Sequence, residues 1–139
     1  MNLTINGRQV NLPSLLTPGR TIITLGREAE EAYNVIALDD AALDLFQCQF
    51  TRTADGWQVH NGQWRTECPK GIRSRLQHAC NMCMGRCVNS RPARPTYSWR
   101  TPQVPTLLNG TALAGDAGTS LKPGDVITAG NTTILVGMA

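Results

Sequence analysis

The sequence predicts an all-β domain of short strands, interrupted by one long cysteine-rich insertion. Thirteen glycines and eight prolines are spread along 139 residues, which is typical of short strands joined by tight turns. Apolar residues make up 41% of the chain and charged residues 17%, enough for one packed core. This pattern stops between residues 65 and 100, where four of the five cysteines lie. We therefore predict a single domain over residues 1–139 with an insertion at 65–100.

Turn dipeptides and alternating side chains mark the strands on both sides of the insertion. Asn6-Gly7 predicts a tight hairpin because both residues tolerate the positive φ that such a turn requires. Phe46, Cys48 and Phe50 alternate onto one face of a strand, which predicts that Cys48 is a buried core residue rather than a ligand. The predicted strands cover residues 3–5, 9–12, 21–25, 34–38, 46–51, 57–60, 106–108, 126–128 and 132–136.

Several functional classes find no support in the sequence. The N-terminal residues MNLTINGRQV form no apolar signal sequence, and no apolar run approaches the length of a membrane span. We expect a cytoplasmic protein, in which thiols stay reduced. The chain has no Gly-rich phosphate loop, no Gly-x-Ser-x-Gly and no His-Glu-x-x-His. We therefore predict that it is not an enzyme.

Five short segments occur in an order and spacing that resemble a known family. They are TLGRE (24–28), NVIALDD (34–40), DGWQV (55–59), LLNG (107–110) and LKPGDVITAG (121–130). Together they resemble the forkhead-associated (FHA) domain, a β-sandwich that usually recognises phosphothreonine peptides. The resemblance implies two antiparallel sheets packed face to face, with binding loops at one end.

The family's phosphate-binding residues are only partly present. Gly26 and Arg27 match the family's Gly-Arg pair, and Arg27 takes the position that contacts the phosphopeptide. Asp44 stands where the family has a phosphate-contacting Ser, and Gln47 stands where it has a His. A carboxylate repels phosphate where a hydroxyl would donate to it. We therefore predict a degenerate phosphothreonine site. An Arg27–Asp44 ion pair would close it, and the alternative is that these two side chains do not meet.

A second departure lies in the segment before LLNG. Thr106 fits the family's Thr, but Val104 falls where the peptide-holding Asn belongs. Each lost hydrogen bond to a charged group removes about 1.5–3 kcal/mol. The sequence thus predicts a domain that binds a protein partner without phosphothreonine.

The cysteine spacing in the insertion predicts a structural zinc site. The four predicted ligands are Cys68, Cys80, Cys83 and Cys87, with His78 as a spare residue nearby. Four thiolates complete a tetrahedral zinc shell and leave no open position for catalysis. Metal binding would also stabilise a segment that has few large apolar residues.

Other interpretations of these cysteines stay open. Leu76 and the last three cysteines share one face if the segment forms a short helix, so the thiols could be apolar packing. Two disulfides are an alternative if the protein is exported. An iron–sulfur cluster needs the same number of cysteines.

The charge distribution predicts a partner surface on the insertion. Residues 65–100 hold eight basic residues and one acid. The residues that we predict to contact a partner are Arg73, Arg75 and Arg86, together with Arg27 and Asp44. The favoured function is an adaptor or assembly module in a larger bacterial-type complex.

Two alternatives to the adaptor function use the same insertion. A nucleic-acid-binding protein would use its arginines for phosphate contacts and Trp64, Tyr97 and Trp99 for stacking. Steep salt dependence of binding would favour this alternative over a protein partner. A zinc-dependent homo-oligomer, with the insertion as its interface, is a third hypothesis.

Overall fold

The chain forms two compact units in the computed structural model. The structure describes residues 1–29, 34–67 and 96–138, with the backbone alone for 65–67 and 96–98. One unit comprises Met1–Gln63 and Thr101–Ala139, and the other comprises Trp64–Arg100. In the part of the chain that is described, no helix has the length and apolar content to cross a bilayer.

Strands account for the regular structure of the described residues, apart from a single 3-10 turn at Pro13–Leu15. The strands are numbered along the chain as β1 Asn2–Ile5, β2 Arg8–Asn11, β3 Ile22–Arg27, β4 Ile36–Leu38, β5 Cys48–Thr53, β6 Gly56–Asn61, β7 Gln63–Glu67, β8 Thr96–Arg100, β9 Leu107–Leu108, β10 Thr111–Ala112, β11 Thr119–Ser120, β12 Val126–Ala129 and β13 Thr132–Gly137.

Two sheets build the first unit. One has six strands in the order β10-β9-β12-β13-β1-β2, and the other has five in the order β11-β6-β5-β3-β4. Neighbouring strands are antiparallel, as the resemblance implied, except that β3 and β4 run parallel. A tight hairpin turn cannot join parallel neighbours, so β3 and β4 are joined by the longer connection of residues 28–35, and β4 begins with Ile36 opposite Leu25.

Side chains from both sheets fill one core, as expected of a sandwich. In the six-stranded sheet, Leu3 and Ile127 are fully buried, and the side chains of β13 alternate between buried and exposed. In the five-stranded sheet, Ile23, Leu25 and Phe50 are fully buried. The described residues of the first unit thus form an all-β sandwich.

The first hairpin and the buried cysteine agree with the sequence. Asn6 and Gly7 have φ values of 49° and 83°, and they join β1 to β2 in register. Cys48 is 1% exposed, and burial raises the pKa of its thiol to about 12. Both predictions are confirmed.

Two of the segments that carry the resemblance contact each other. The side-chain amide of Asn109 donates through its Nδ2 to the Asp125 carboxylate over 3.0 Å, and its Oδ1 accepts from the backbone amide of Val126 at 2.9 Å. Burial alone would raise the pKa of Asp125, but hydrogen bonds from Asn109 and Lys122 outweigh it and hold the pKa below its usual value. The LLNG turn is therefore tied to the LKPGD turn.

The second unit contains a two-stranded sheet formed by β7 and β8. Trp64 of β7 and Trp99 of β8 make an edge-to-face contact, with ring centroids 5.6 Å apart and an interplanar angle of 78°. The short helix predicted within the insertion lies outside the described residues.

Candidate functional site

Three chain segments meet at one end of the five-stranded sheet. The first is the end of β3 at Arg27, which lies beside the beginning of β5, with Leu25 opposite Cys48. The second is the segment at 39–47, which leads into β5. The third is the segment at 101–106, which leads into β9. Hydrogen bonds connect both segments to this end. We call five residues from these segments the loop site: Arg27, Asp44, Gln47, Val104 and Thr106.

Gly26 allows the 44–47 segment to lie directly against β3. A Cβ atom at this position would overlap the Leu45 carbonyl oxygen and lie 2.8 Å from the Asn34 amide nitrogen. The Asn34 side chain donates to the same carbonyl over 2.8 Å, and the Arg27 amide donates to the Asp44 carbonyl over 3.0 Å. A glycine is therefore needed at position 26, because a side chain there would overlap the 44–47 segment.

Asp44 holds two segments together through its carboxylate. Its Oδ1 accepts from the Phe46 amide at 2.9 Å, and its Oδ2 accepts from the Gln103 amide at 3.1 Å. The predicted ion pair with Arg27 is wrong, because no ion pair joins these two side chains in the described part of the chain. The backbone amides of Phe46 and Gln103 donate to the Asp44 carboxylate instead of the Arg27 guanidinium.

Gln47 forms the buried centre of the loop site. It is fully buried, and its Nε2 donates to the Val104 carbonyl and the Thr106 hydroxyl over 2.7 and 2.8 Å. Its Oε1 accepts from the Asp44 amide at 3.0 Å. Thr106 is also fully buried, and its hydroxyl donates to the Gln47 carbonyl over 3.2 Å. The two residues therefore connect the 39–47 and 101–106 segments rather than facing a ligand.

Sequence reasoning missed a second buried amide beside the loop site. Gln63 is fully buried, and its Nε2 lies 2.8 Å from the Leu25 carbonyl, 2.8 Å from Asn34 Oδ1 and 2.9 Å from the Cys48 carbonyl. The preceding Gly62 marks a turn in the sequence, which gave no reason to expect a buried Gln. Gln63 and Asn34 together hold the ends of β3 and β5.

Asp40 acts as a structural acceptor in the segment that follows β4. Its carboxylate accepts from the Thr132 hydroxyl at 2.6 Å, from the Asn131 amide at 3.0 Å and from the Ala42 amide at 2.9 Å. The Thr132 hydrogen bond is the largest cause that holds the pKa of Asp40 below its usual value. The carboxylate connects the 39–47 segment to the β12–β13 hairpin.

The predicted residues of the insertion lie outside the described residues. They are Cys68, Cys80, Cys83, Cys87, Arg73, Arg75 and Arg86. Within residues 1–29, 34–67 and 96–138, no group of His, Cys, Asp or Glu side chains could hold a metal ion.

Comparison with known proteins identifies the fold. No family model and no curated protein matches the chain. A solution structure of the FHA domain of an Arabidopsis thaliana hypothetical protein is similar, with 21% identity and a TM-score of 0.54, over 98% of this chain and 84% of that one. The yeast splicing factor Pml1, whose structure was described with its integration into the RES complex, is 14% identical with a TM-score of 0.54, over 99% of this chain and 80% of its own. The chain therefore has an FHA-like fold, as its sequence predicted.

Proposed function

We propose that the chain is a non-enzymatic protein-interaction module whose loop site binds a partner without phosphothreonine. It would serve as an adaptor or assembly subunit of a cytoplasmic, bacterial-type complex. The FHA-like fold supports the interaction role. The observation that carries the phosphate-independence is the Asp44 carboxylate, which accepts from the Phe46 and Gln103 amides.

A phosphate at this position would meet few free donors and one fixed negative charge. Phosphothreonine carries about two negative charges near neutral pH. Unit charges of the same sign 4 Å apart repel by about 4 kcal/mol at an effective dielectric constant of 20. The Gln47 amide already donates to Val104 and Thr106. Arg27 remains as the cationic donor, and one guanidinium would have to offset both the repulsion and the desolvation of the phosphate.

Matched peptide pairs test this proposal. We expect phosphothreonine peptides and their unmodified counterparts to bind with similar affinity in calorimetric titrations, within about 0.6 kcal/mol, or threefold. A preference for the phosphorylated form above tenfold that disappears in Arg27→Ala would refute the proposal.

The Asp44→Ser variant tests the cause directly. It removes the resident carboxylate and restores a hydroxyl, so phosphate preference should rise relative to the unaltered chain. Asp55→Ser is a matched control, because Asp55 is exposed in the turn between β5 and β6. An equal rise in both variants would show that net charge, and not the position of Asp44, governs the preference.

We further propose that Cys68, Cys80, Cys83 and Cys87 bind one structural zinc ion. The ligand spacing supports this assignment, and so does the pairing of β7 with β8, which brings the two ends of the intervening segment onto neighbouring strands. Elemental mass spectrometry should find one zinc per chain. Cys80→Ser and Cys83→Ser should lose the metal, whereas Cys48→Ala, which changes the buried core thiol, should retain it. A metal-free chain whose unfolding is unchanged by chelator would disprove the site.

A further inference from the structure

The chain contains three Asn-Gly pairs, and two of them form turns with the same backbone angles. Asn6 and Gly7, between β1 and β2, have φ values of 49° and 83°. Asn109 and Gly110, between β9 and β10, have φ values of 52° and 83°. Both turns are two residues long and exposed. What distinguishes them is therefore the contacts of the two asparagine side chains.

The Asn109 side chain is fixed by hydrogen bonds, whereas the Asn6 side chain is not. Asn109 Nδ2 donates to the Asp125 carboxylate over 3.0 Å, and Asn109 Oδ1 accepts from the Val126 amide at 2.9 Å. In the described part of the chain, no hydrogen bond joins the Asn6 side chain to another group. Asn6 can therefore change its rotamer without breaking a contact, and Asn109 cannot.

The third pair, Asn61 and Gly62, is also held by hydrogen bonds. Asn61 Oδ1 accepts from the Thr106 amide at 3.2 Å. Gly62 is buried, and its amide donates to the His60 carbonyl over 3.1 Å. The asparagine side chain and the backbone nitrogen that follows it are thus both engaged.

We propose that Asn6 is a site of spontaneous covalent modification, at which the asparagine is converted to aspartate and isoaspartate. The backbone nitrogen of Gly7 attacks Asn6 Cγ, so that an N–Cγ bond forms and the Cγ–Nδ2 bond breaks. The amide proton of Gly7 passes to the leaving nitrogen, which departs as ammonia. Water then opens the cyclic succinimide at either of its carbonyl carbons. Glycine favours the attack because no Cβ atom lies beside its nitrogen.

The reaction changes both the charge and the length of the turn. Each product carries a carboxylate where the chain had a neutral amide. In isoaspartate the backbone also runs through the former side chain, which lengthens the turn by one carbon atom. The modified hairpin therefore no longer has the geometry of a two-residue turn in the isoaspartate product.

Peptide mapping of the full chain after incubation at mildly alkaline pH tests the proposal, because chromatography separates the aspartyl and isoaspartyl peptides from the original. In the native chain Asn6 should react roughly 30- to 1,000-fold faster than Asn109, since Asn109 must first break one hydrogen bond to a carboxylate and one to a neutral amide. In guanidinium chloride the three pairs should react at similar rates, because the native contacts are absent.

Three variants identify the site and the cause of protection. Asn6→Gln should abolish the modification in the first turn, because the longer side chain closes a ring slowly, and the matched Asn109→Gln should leave the reaction of Asn6 unchanged. Asp125→Ala removes the carboxylate that holds Asn109. It should speed the reaction of Asn109 roughly 10- to 150-fold, as expected for the loss of one hydrogen bond to a charged group, and leave Asn6 unchanged. Urea unfolding establishes that this variant is folded.

Two results would overturn the proposal, and neither requires a variant. One is that Asn109 reacts as fast as Asn6 in the native chain. The other is that Asn6 stays intact in the native chain but reacts in guanidinium chloride, which would show that the hairpin itself protects it.

Discussion

Replacing Gln47 with Leu should destabilise the sandwich although the two side chains are similar in size. The change removes a hydrogen-bond partner from three groups: the Thr106 hydroxyl, the Val104 carbonyl and the Asp44 amide. The Thr106 hydroxyl is fully buried and keeps its donation to the Gln47 carbonyl, but its oxygen loses the donor from which it accepts, which should cost about 1–3 kcal/mol. Val104 and Asp44 are partly exposed, and water can replace some of their loss, at about 0.5–1.5 kcal/mol each. The expected decrease in the free energy of unfolding is therefore about 2–6 kcal/mol.

Urea unfolding followed by tryptophan fluorescence measures this decrease. Gln9→Leu provides the control, because Gln9 is exposed on β2 and its replacement should change stability by less than about 0.5 kcal/mol. In the Gln47→Leu/Thr106→Val double variant the hydroxyl oxygen that would lack a donor is absent, so the two effects should be sub-additive by about 1 kcal/mol or more. If Gln47→Leu is as stable as Gln9→Leu, or if the two effects simply add, the buried network does not stabilise the fold as described.

Two further substitutions and one labelling experiment test other parts of the sandwich. Asp40→Asn should make the free energy of unfolding depend less on pH in the acid range. The Thr132 hydrogen bond holds the folded pKa of Asp40 below 3.8, so the ionised carboxylate stabilises the fold above that pH, and this stabilisation is lost as the pH falls. Comparing urea unfolding of both chains at pH 7 and at about pH 3 measures this, and a parallel loss in both would contradict it. Gly26→Ala should lower stability by about 1–3 kcal/mol or more through overlap with a backbone carbonyl, whereas Gly137→Ala, where the nearest atom is 4.0 Å from the added carbon, should have little effect in thermal unfolding. The Cys48 thiol should resist alkylation by iodoacetamide in the native chain, because burial raises its pKa to about 12. Rapid labelling of Cys48 in the native chain, detected by peptide mapping, would show that this thiol is not buried.

The fold was predictable where local patterns decide the structure. Asn6-Gly7 determines a hairpin by the backbone conformations that its two residues allow. The alternation of Cys48 and Phe50 determines which face of β5 enters the hydrophobic core, although Gln49 between them is also buried. The parallel pairing of β3 with β4 could not be predicted in the same way, because the choice of neighbour depends on contacts between segments distant in sequence.

The candidate site was predictable in composition and less so in geometry. The sequence showed that Asp44 replaces a hydroxyl donor, but the partner of its carboxylate is the amide of Gln103. Every residue except proline offers the same backbone amide, so this partner leaves no mark in the sequence. The same reason hid Gln63, two of whose acceptors are the backbone carbonyls of Leu25 and Cys48.

The pairing of β7 with β8 has a consequence for how the insertion can be exchanged. Strands in one sheet lie about 4.8 Å apart, and β7 and β8 are the strands on either side of residues 68–95. For a flexible chain, closing a connection of that length costs about 2 kcal/mol more in loop entropy than closing one of about four residues. Because loop entropy grows slowly with length, a segment of different length could replace residues 68–95 between β7 and β8 at a modest entropic cost.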